Sequence, residues 1–528
     1  MVPDCLQHAD ARPHWERIGV ERRVGVCVPL SSIRTGRSFG IGDAADLVAL
    51  VDWCGSVGAR VVQMLPLNDM GADCVPYAAI SAFAIDPVYV ALDRIPGVEA
   101  DAEYLARVRG AAAALEAAPR VDFAAVRAAK WPLLASAFRR TDGPALRDAL
   151  AAFRAGNGWL ADWLPYRAIK EAEGWASWET WGPRYADPAA VEAFSAANRE
   201  KLDLLLFSQW VLDRQLRDAR AHAAANGVLL LGDVPILVSR DSADVWRRPD
   251  IFRLDTMAGA PPDMYSAVGQ TWGFPTYDWS ALAAEDHGWW RARLRQAERW
   301  FDLYRIDHVV GFFRIWTLAA DARDGLDGRF VPGDEAVWGD HGRGILRMML
   351  ESSTMLPVGE DLGTIPDVCR DTLRAMGICG MKVQRWERRW HGDRGYIDPA
   401  EFHPLSFATL ATHDSETLAG WWRAYPEDAA LLYRTLGHDG PSPADAPPDV
   451  QREVVRWIGR AGSLFVVHLL QDLLQPLGLL PGDPAGHRIN LPGTVNDTNW
   501  RWRCPVTVER LSEPDVAGAV RDMLAPAR

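Results

Sequence analysis

The chain has little cysteine, no apolar run long enough to span a membrane and no excess of positive charge. Its seven cysteines, at 5, 27, 54, 74, 369, 379 and 504, are odd in number and contain no Cys-x-x-Cys pair. That argues against a disulfide framework or a zinc cage and suits a reducing cytoplasm. No stretch approaches the roughly 18 apolar residues of a membrane-spanning helix. The N-terminus, MVPDCLQHADARPHWER, has early acids and lacks the apolar centre of a secretory signal. A soluble, cytoplasmic protein is expected. Against 57 Lys and Arg stand 70 Asp and Glu, a formal net charge of -13, so the summed field repels polyanions. Nucleic acid and anionic membranes are poor partners. P-loop and H-E-x-x-H patterns are also missing, which removes the simplest phosphate and zincin chemistries.

What is present is a globular composition over 528 residues, 48% hydrophobic and 24% charged. Its 24 tryptophans outnumber both its 16 phenylalanines and its 11 tyrosines. Core packing is the ordinary use of such residues, but an exposed indole also offers a flat apolar face to a sugar ring.

Seven β-rich runs alternate with helical patterns: Val24–Leu30, Arg60–Leu67, Val228–Ile236, Leu303–Val309, Leu356–Gly363, Gly380–Trp386 and Ser406–Asp414. Helical spacing lies between them over Asp43–Val57 and Glu200–Asn226, and alternation of this kind predicts parallel β/α units. Residues 97–199 break the rhythm with Ala-, Arg- and acid-rich helical sequence, read as an inserted helical subdomain. The expected division is 1–96 for the first part of a catalytic barrel, 97–199 for the insertion and 200–528 for the rest of the barrel with substrate-covering loops. The Pro- and Gly-rich stretch Gly437–Pro448 predicts a surface loop ahead of a long helix from Asp449. Periodicity does not separate a barrel from a doubly wound sheet. Asp233, Asp307, Glu360 and Asp414, however, each close a predicted strand, and barrel enzymes assemble their chemistry at strand C-termini.

Gly40–Ala45 (GIGDAA) matches a dinucleotide fingerprint, but the preceding strand stops at Leu30. A turn with Asp43 capping the next helix fits better. Arg305 and Asp307 fall on one face of an alternating strand, where the cation would keep Asp307 ionised; a structural ion pair reads equally well. Glu360 leaves a buried apolar strand, an environment that raises a carboxyl pKa toward the range useful for proton donation. Asp361 competes with it by pattern alone. His413 stands beside Asp414 as a neutral hydrogen-bond donor.

Arg305–Phe312 (RIDHVVGF), Val358–Gly363 (VGEDLG) and Ala411–Thr417 (ATHDSET) resemble three signature regions of the α-amylase-related clan. More closely, the chain resembles the 4-α-glucanotransferase family, known as amylomaltase or disproportionating enzyme. Supporting matches include Phe39–Asp43 (FGIGD), Ser81–Ala84 (SAFA), Gly232–Ile236 (GDVPI), Gly269–Pro275 (GQTWGFP) and Arg488–Trp502. The resemblance implies a (β/α)8 TIM barrel with helical insertions that acts on α-1,4-glucans without a metal or organic cofactor. It assigns Asp307 as nucleophile, Glu360 as general acid/base and Asp414 as transition-state stabiliser. Arg305, His413, Tyr77, Asp233 and Trp272 then fall at substrate-binding positions. A maltooligosaccharide or other glucan would be the donor, and glucose or a maltodextrin the acceptor. A hydrolytic α-amylase-type or debranching glucosidase shares these acids, and a non-catalytic glucan-binding protein would share only the aromatics and the barrel. The sequence departs from the family pattern at Asn68 to Met70, at Phe274 and at Met264, which intervenes before Tyr265. These departures bear on acceptor and glucan length.

Overall fold

The computed structural model describes residues 4–262 and 266–525; the Met264 departure lies outside the described residues. Eight parallel strands close a barrel: β1 (Arg23–Cys27), β2 (Val61–Gln63), β3 (Leu229–Val234), β4 (Leu303–Ile306), β5 (Leu356–Gly359), β6 (Cys379–Val383), β7 (Ser406–Thr409) and β8 (Phe465–Leu469). Each pairs with its neighbours in chain order and β8 pairs back onto β1, as Arg23 opposite Phe465 illustrates. Strands covered on both faces read as apolar runs, and every residue of β8 is buried. At Gly25 an added Cβ would stand 2.6 Å from the Val61 carbonyl oxygen, so the approach of β1 to β2 requires glycine. Below the strand N-termini, Trp15 stacks on Phe465 at 5.6 Å and donates from Nε1 to the Gly377 carbonyl at 2.8 Å.

All seven predicted strands are present, each shorter than its apolar run. β8 is the eighth, and the sequence reading missed it: the helix expected to run on from Asp449 spans Pro448–Ile458 and ends before the strand. Helix Ala44–Val57 starts where Asp43 accepts from the Ala45 and Asp46 amides and ends on Gly58 at φ 85°. The GIGDAA segment is thus a cap. Between β2 and β3 lie helices Ala102–Glu116, Phe123–Thr141, Pro144–Ala155, Leu160–Ala172, Pro188–Ala197 and Arg199–Ala225. Asp69 is fully buried in the loop after β2, where it accepts from Trp163 Nε1 and Arg167 Nε at 3.1 Å each. The Asn68–Asp69 departure therefore ties this loop to helix Leu160–Ala172.

Segments after β3 and β4 form an antiparallel sheet in the order Arg329–Val331, Ile315–Ala319, Thr256–Ala260, Gln270–Thr271. It carries Trp272 at its edge. Among the described residues no helix is long and apolar enough to cross a membrane, and no disulfide forms.

Candidate active site

Asp233 lies within β3, Asp307 directly follows β4 and Glu360 directly follows β5. Asp414 falls five residues past Thr409, the last residue of β7, so the predicted strand overran. The chain turns there through Ser415 Oγ, which accepts from the Thr412 amide at 3.0 Å. All four acids stand at the C-terminal end of the barrel.

Arg305, on β4, organises three of them. Its Nη1 lies 3.0 Å from each Asp233 oxygen and 2.9 Å from Asp307 Oδ1, while its Nη2 stands 3.8 Å from Glu360 Oε2. One guanidinium therefore faces three carboxyl groups. Asp233 has no exposed side-chain surface, and Glu360 retains 11%. Three acids cannot all ionise cheaply around one cation in so dry a place. Burial pushes Glu360 up, Arg305 pulls it back only partly and Asp307 adds repulsion, leaving Glu360 at about 7. For Arg305 itself, burial works against the charge, but Asp233 and Asp307 outweigh it and raise its pKa. The cation is permanent.

His308 turns the chain after Asp307 in a left-handed conformation, φ 48° and ψ 54°, which histidine tolerates better than most residues. That turn aims its amide at Glu360 Oε2, 2.9 Å away, while the Leu362 amide donates to Oε1 at 2.7 Å. Asp361 points elsewhere: its Oδ1 accepts from the Met381 amide at 2.7 Å, which ties β5 to β6. Of the two acids competing by pattern, only Glu360 faces the Arg305 guanidinium beside Asp307, whereas Asp361 pairs with Arg370.

Tyr77, in the loop after β2, donates from its hydroxyl to Asp233 Oδ2 at 2.7 Å and stacks on His413 at 5.2 Å and 13°. His413 Nε2 lies 3.2 Å from Asp414 Oδ2. Burial disfavours the imidazolium, but the Asp414 carboxylate outweighs it and raises the His413 pKa. The neutral donor expected from the sequence is thus biased toward its protonated form. Asp414 feels burial too, yet His413, the Asn490 amide and Arg305 together hold it at about 2.

Sequence reasoning did not single out Asn490, Arg488 or Trp500. Asn490 Nδ2 donates to Asp414 Oδ1 at 2.7 Å, Arg488 Nη2 donates to the Asp414 carbonyl, and Trp500 packs against Tyr77 at 5.5 Å and His413 at 5.8 Å. The signal was the Arg488–Trp502 segment, rich in Asn and Trp, with Asp497 as its one acid. Trp272 meets the His308 ring edge-on at 4.9 Å, and its Nε1 donates to Gln270 Oε1 at 3.1 Å. It also lines a cavity of about 960 Å³ that reaches Asp414 and is walled by Trp386, Trp390, Trp421 and Tyr425. Half of the 24 tryptophans are buried packing groups, and several of the others gather here. Among the described residues no three His, Cys, Asp or Glu side chains are grouped to hold a metal ion.

Carboxyls gathered around one guanidinium beside an aromatic-walled cleft are suited to glycosyl chemistry, and the likeness to known proteins points the same way. The sequence model of 4-alpha-glucanotransferases matches residues 28–508. A 4-alpha-glucanotransferase from Chlamydia caviae is 36% identical over 98% of this chain and 97% of its own. One from Thermus thermophilus is 33% identical over 84% of this chain and 87% of its own. Among solved structures, the amylomaltase from Streptococcus agalactiae in complex with acarbose superposes with a TM-score of 0.80 at 25% identity, covering 95% of this chain and 98% of that one. With a family match over most of its length and relatives aligned nearly end to end, the chain belongs to the 4-alpha-glucanotransferase family.

Proposed function

We propose that the chain moves α-1,4-glucan segments from a maltooligosaccharide donor to glucose or a maltodextrin acceptor by a retaining double displacement. Glu360, carrying the proton that its site favours, donates it to the glycosidic oxygen. Asp307 attacks the anomeric carbon from the opposite face; the C1–O bond breaks, the reducing-end fragment leaves and a glycosyl ester forms. Glu360, now a carboxylate, takes the proton of an acceptor 4-hydroxyl. That oxygen attacks C1, the ester bond breaks and the α-linkage returns. Asp414, ionised at any working pH, holds ring hydroxyls as positive charge develops on the sugar. Tyr77 supports the ring, while Asp233 and Arg305 fix Asp307. In this reading residues 97–199 are a helical insertion that buttresses the loop bearing Tyr77, and the protein works in the cytoplasm.

The observation that carries this reading is the single Arg305 guanidinium facing both Asp307 and Glu360, with Glu360 held at about 7. Oriented binding gives an acceptor hydroxyl an effective molarity of order 10⁵ M or more, enough to compete with bulk water. Incubation with maltotriose and mass spectrometry of the products tests the proposal. Transfer gives glucose and a ladder of longer maltodextrins, whereas hydrolysis gives glucose and maltose alone.

A further inference from the structure

Two aromatic side chains of the cleft have no part in the chemistry above. Trp390 is 47% exposed and Tyr425 is 42% exposed, and both line the cavity of about 960 Å³ that reaches Asp414. That volume lies at the upper end of the roughly 300–1,000 Å³ of ordinary ligand pockets, so the cleft holds several sugar units.

The fold holds the Trp390 indole in place. Residues 387–397 turn back on themselves, with Arg388 bridged to Tyr396 in antiparallel fashion and Arg389 Nε bonded to Asp393 Oδ1 at 2.9 Å. Arg388 Nη1 fastens this turn to helix Pro426–Thr435, donating to Asp428 Oδ1 at 2.6 Å, and the Tyr396 hydroxyl donates to the Asp428 carbonyl at 3.3 Å. The same Arg388 guanidinium sits 4.9 Å from the Trp390 ring centroid, and Trp390 Nε1 donates to the Trp386 carbonyl at 3.1 Å. The polar edge of the indole is satisfied and one face is covered by the cation. The other face is left to a ligand. An exposed indole fixed in orientation binds flat apolar surfaces with little ordering cost, and the C–H face of a glucosyl ring is such a surface.

We propose that Trp390, with Tyr425 on the same cavity, forms a distal glucan-stacking site that makes the enzyme prefer long α-1,4-glucans over short ones. The inference rests on the glucan-transfer reading above and adds a specificity determinant remote from the acids. The proposal requires that a maltotriose bound across the acids stop short of this platform and that a maltoheptaose reach it.

Calorimetric binding of maltotriose and maltoheptaose to Asp307→Asn protein, with Trp390 intact or replaced, tests it without turnover. Trp390→Ala is expected to weaken maltoheptaose about tenfold, which corresponds to about 1.4 kcal/mol, and maltotriose by less than about twofold. Trp390→Gln, which keeps bulk but lacks the ring, should behave like the alanine variant, and Trp390→Phe should recover most of the affinity. Equal weakening of both sugars, or of neither, overturns the proposal. Absence of any transfer by the unaltered enzyme contradicts the function itself, whereas an active enzyme with an unchanged length preference contradicts only the role of Trp390.

Discussion

Asn490 donates from Nδ2 to Oδ1 of Asp414 at 2.7 Å across 76 residues of chain. With His413 on the other oxygen, this bond presets the carboxylate before any sugar arrives. A hydrogen bond to a charged group contributes about 1.5–3 kcal/mol. Asn490→Ala is therefore expected to lower kcat and kcat/KM together by about 10- to 100-fold, with the melting temperature nearly unchanged. Steady-state kinetics beside a thermal melt check this; a rise in KM alone would mean that Asn490 serves ground-state binding.

In the proposed mechanism the proton on Glu360 sets the alkaline limit of activity. Because its carboxyl is held at about 7, kcat/KM should fall about tenfold per pH unit above that value. Asp414, held at about 2, contributes no limb in the working range. A profile flat to about pH 9 would remove Glu360 as the acid.

The same shift carries a stability consequence. Folding raises the Glu360 pKa from its ordinary 4.5 to about 7, so between those values the folded chain keeps a proton that the unfolded chain has lost. Stability declines as pH rises through this window, by about 3 kcal/mol in total. Glu360→Gln removes the decline. The variant should be more stable than the parent at about pH 8 and no more stable at about pH 4, as read by urea unfolding at both. Such a gain, with activity lost, is the mark of a strained catalytic group.

Trp272 lines the cleft that reaches Asp414 and meets His308, the neighbour of Asp307, edge-on. Its indole excludes water from the covalent intermediate in the proposed mechanism. Trp272→Ala should raise the ratio of glucose released by hydrolysis to glucan transferred from maltotriose, followed by product mass spectrometry over time. An unchanged ratio would leave the exclusion of water to other groups.

Alternation of apolar runs with helical spacing found seven of the eight strands, because a parallel barrel buries its strands on both faces and marks them by composition alone. β8 escaped since Phe465–Leu469 runs directly into the short helix Leu470–Leu474, and an apolar run of that kind reads equally as helix. The strand-end acids were visible because Asp307 and Glu360 directly follow buried β segments. Glu360 against Asp361 was not separable, since the choice depends on which side chain the Met381 amide captures. Asn490 and Trp390 were hidden for a similar reason: each acts through a long-range contact, to Asp414 in one case and through Arg388 to Asp428 in the other.

In the proposed mechanism Asp307 forms the bond to sugar. A maltooligosaccharyl fluoride needs no acid to expel its leaving group, so Glu360→Gln protein incubated with it should accumulate the glycosyl ester. Peptide mapping by mass spectrometry is predicted to find the added glycosyl mass on Asp307. Its appearance on any other residue, or full turnover of maltotriose by the Asp307→Asn chain, would rule out Asp307 as the nucleophile.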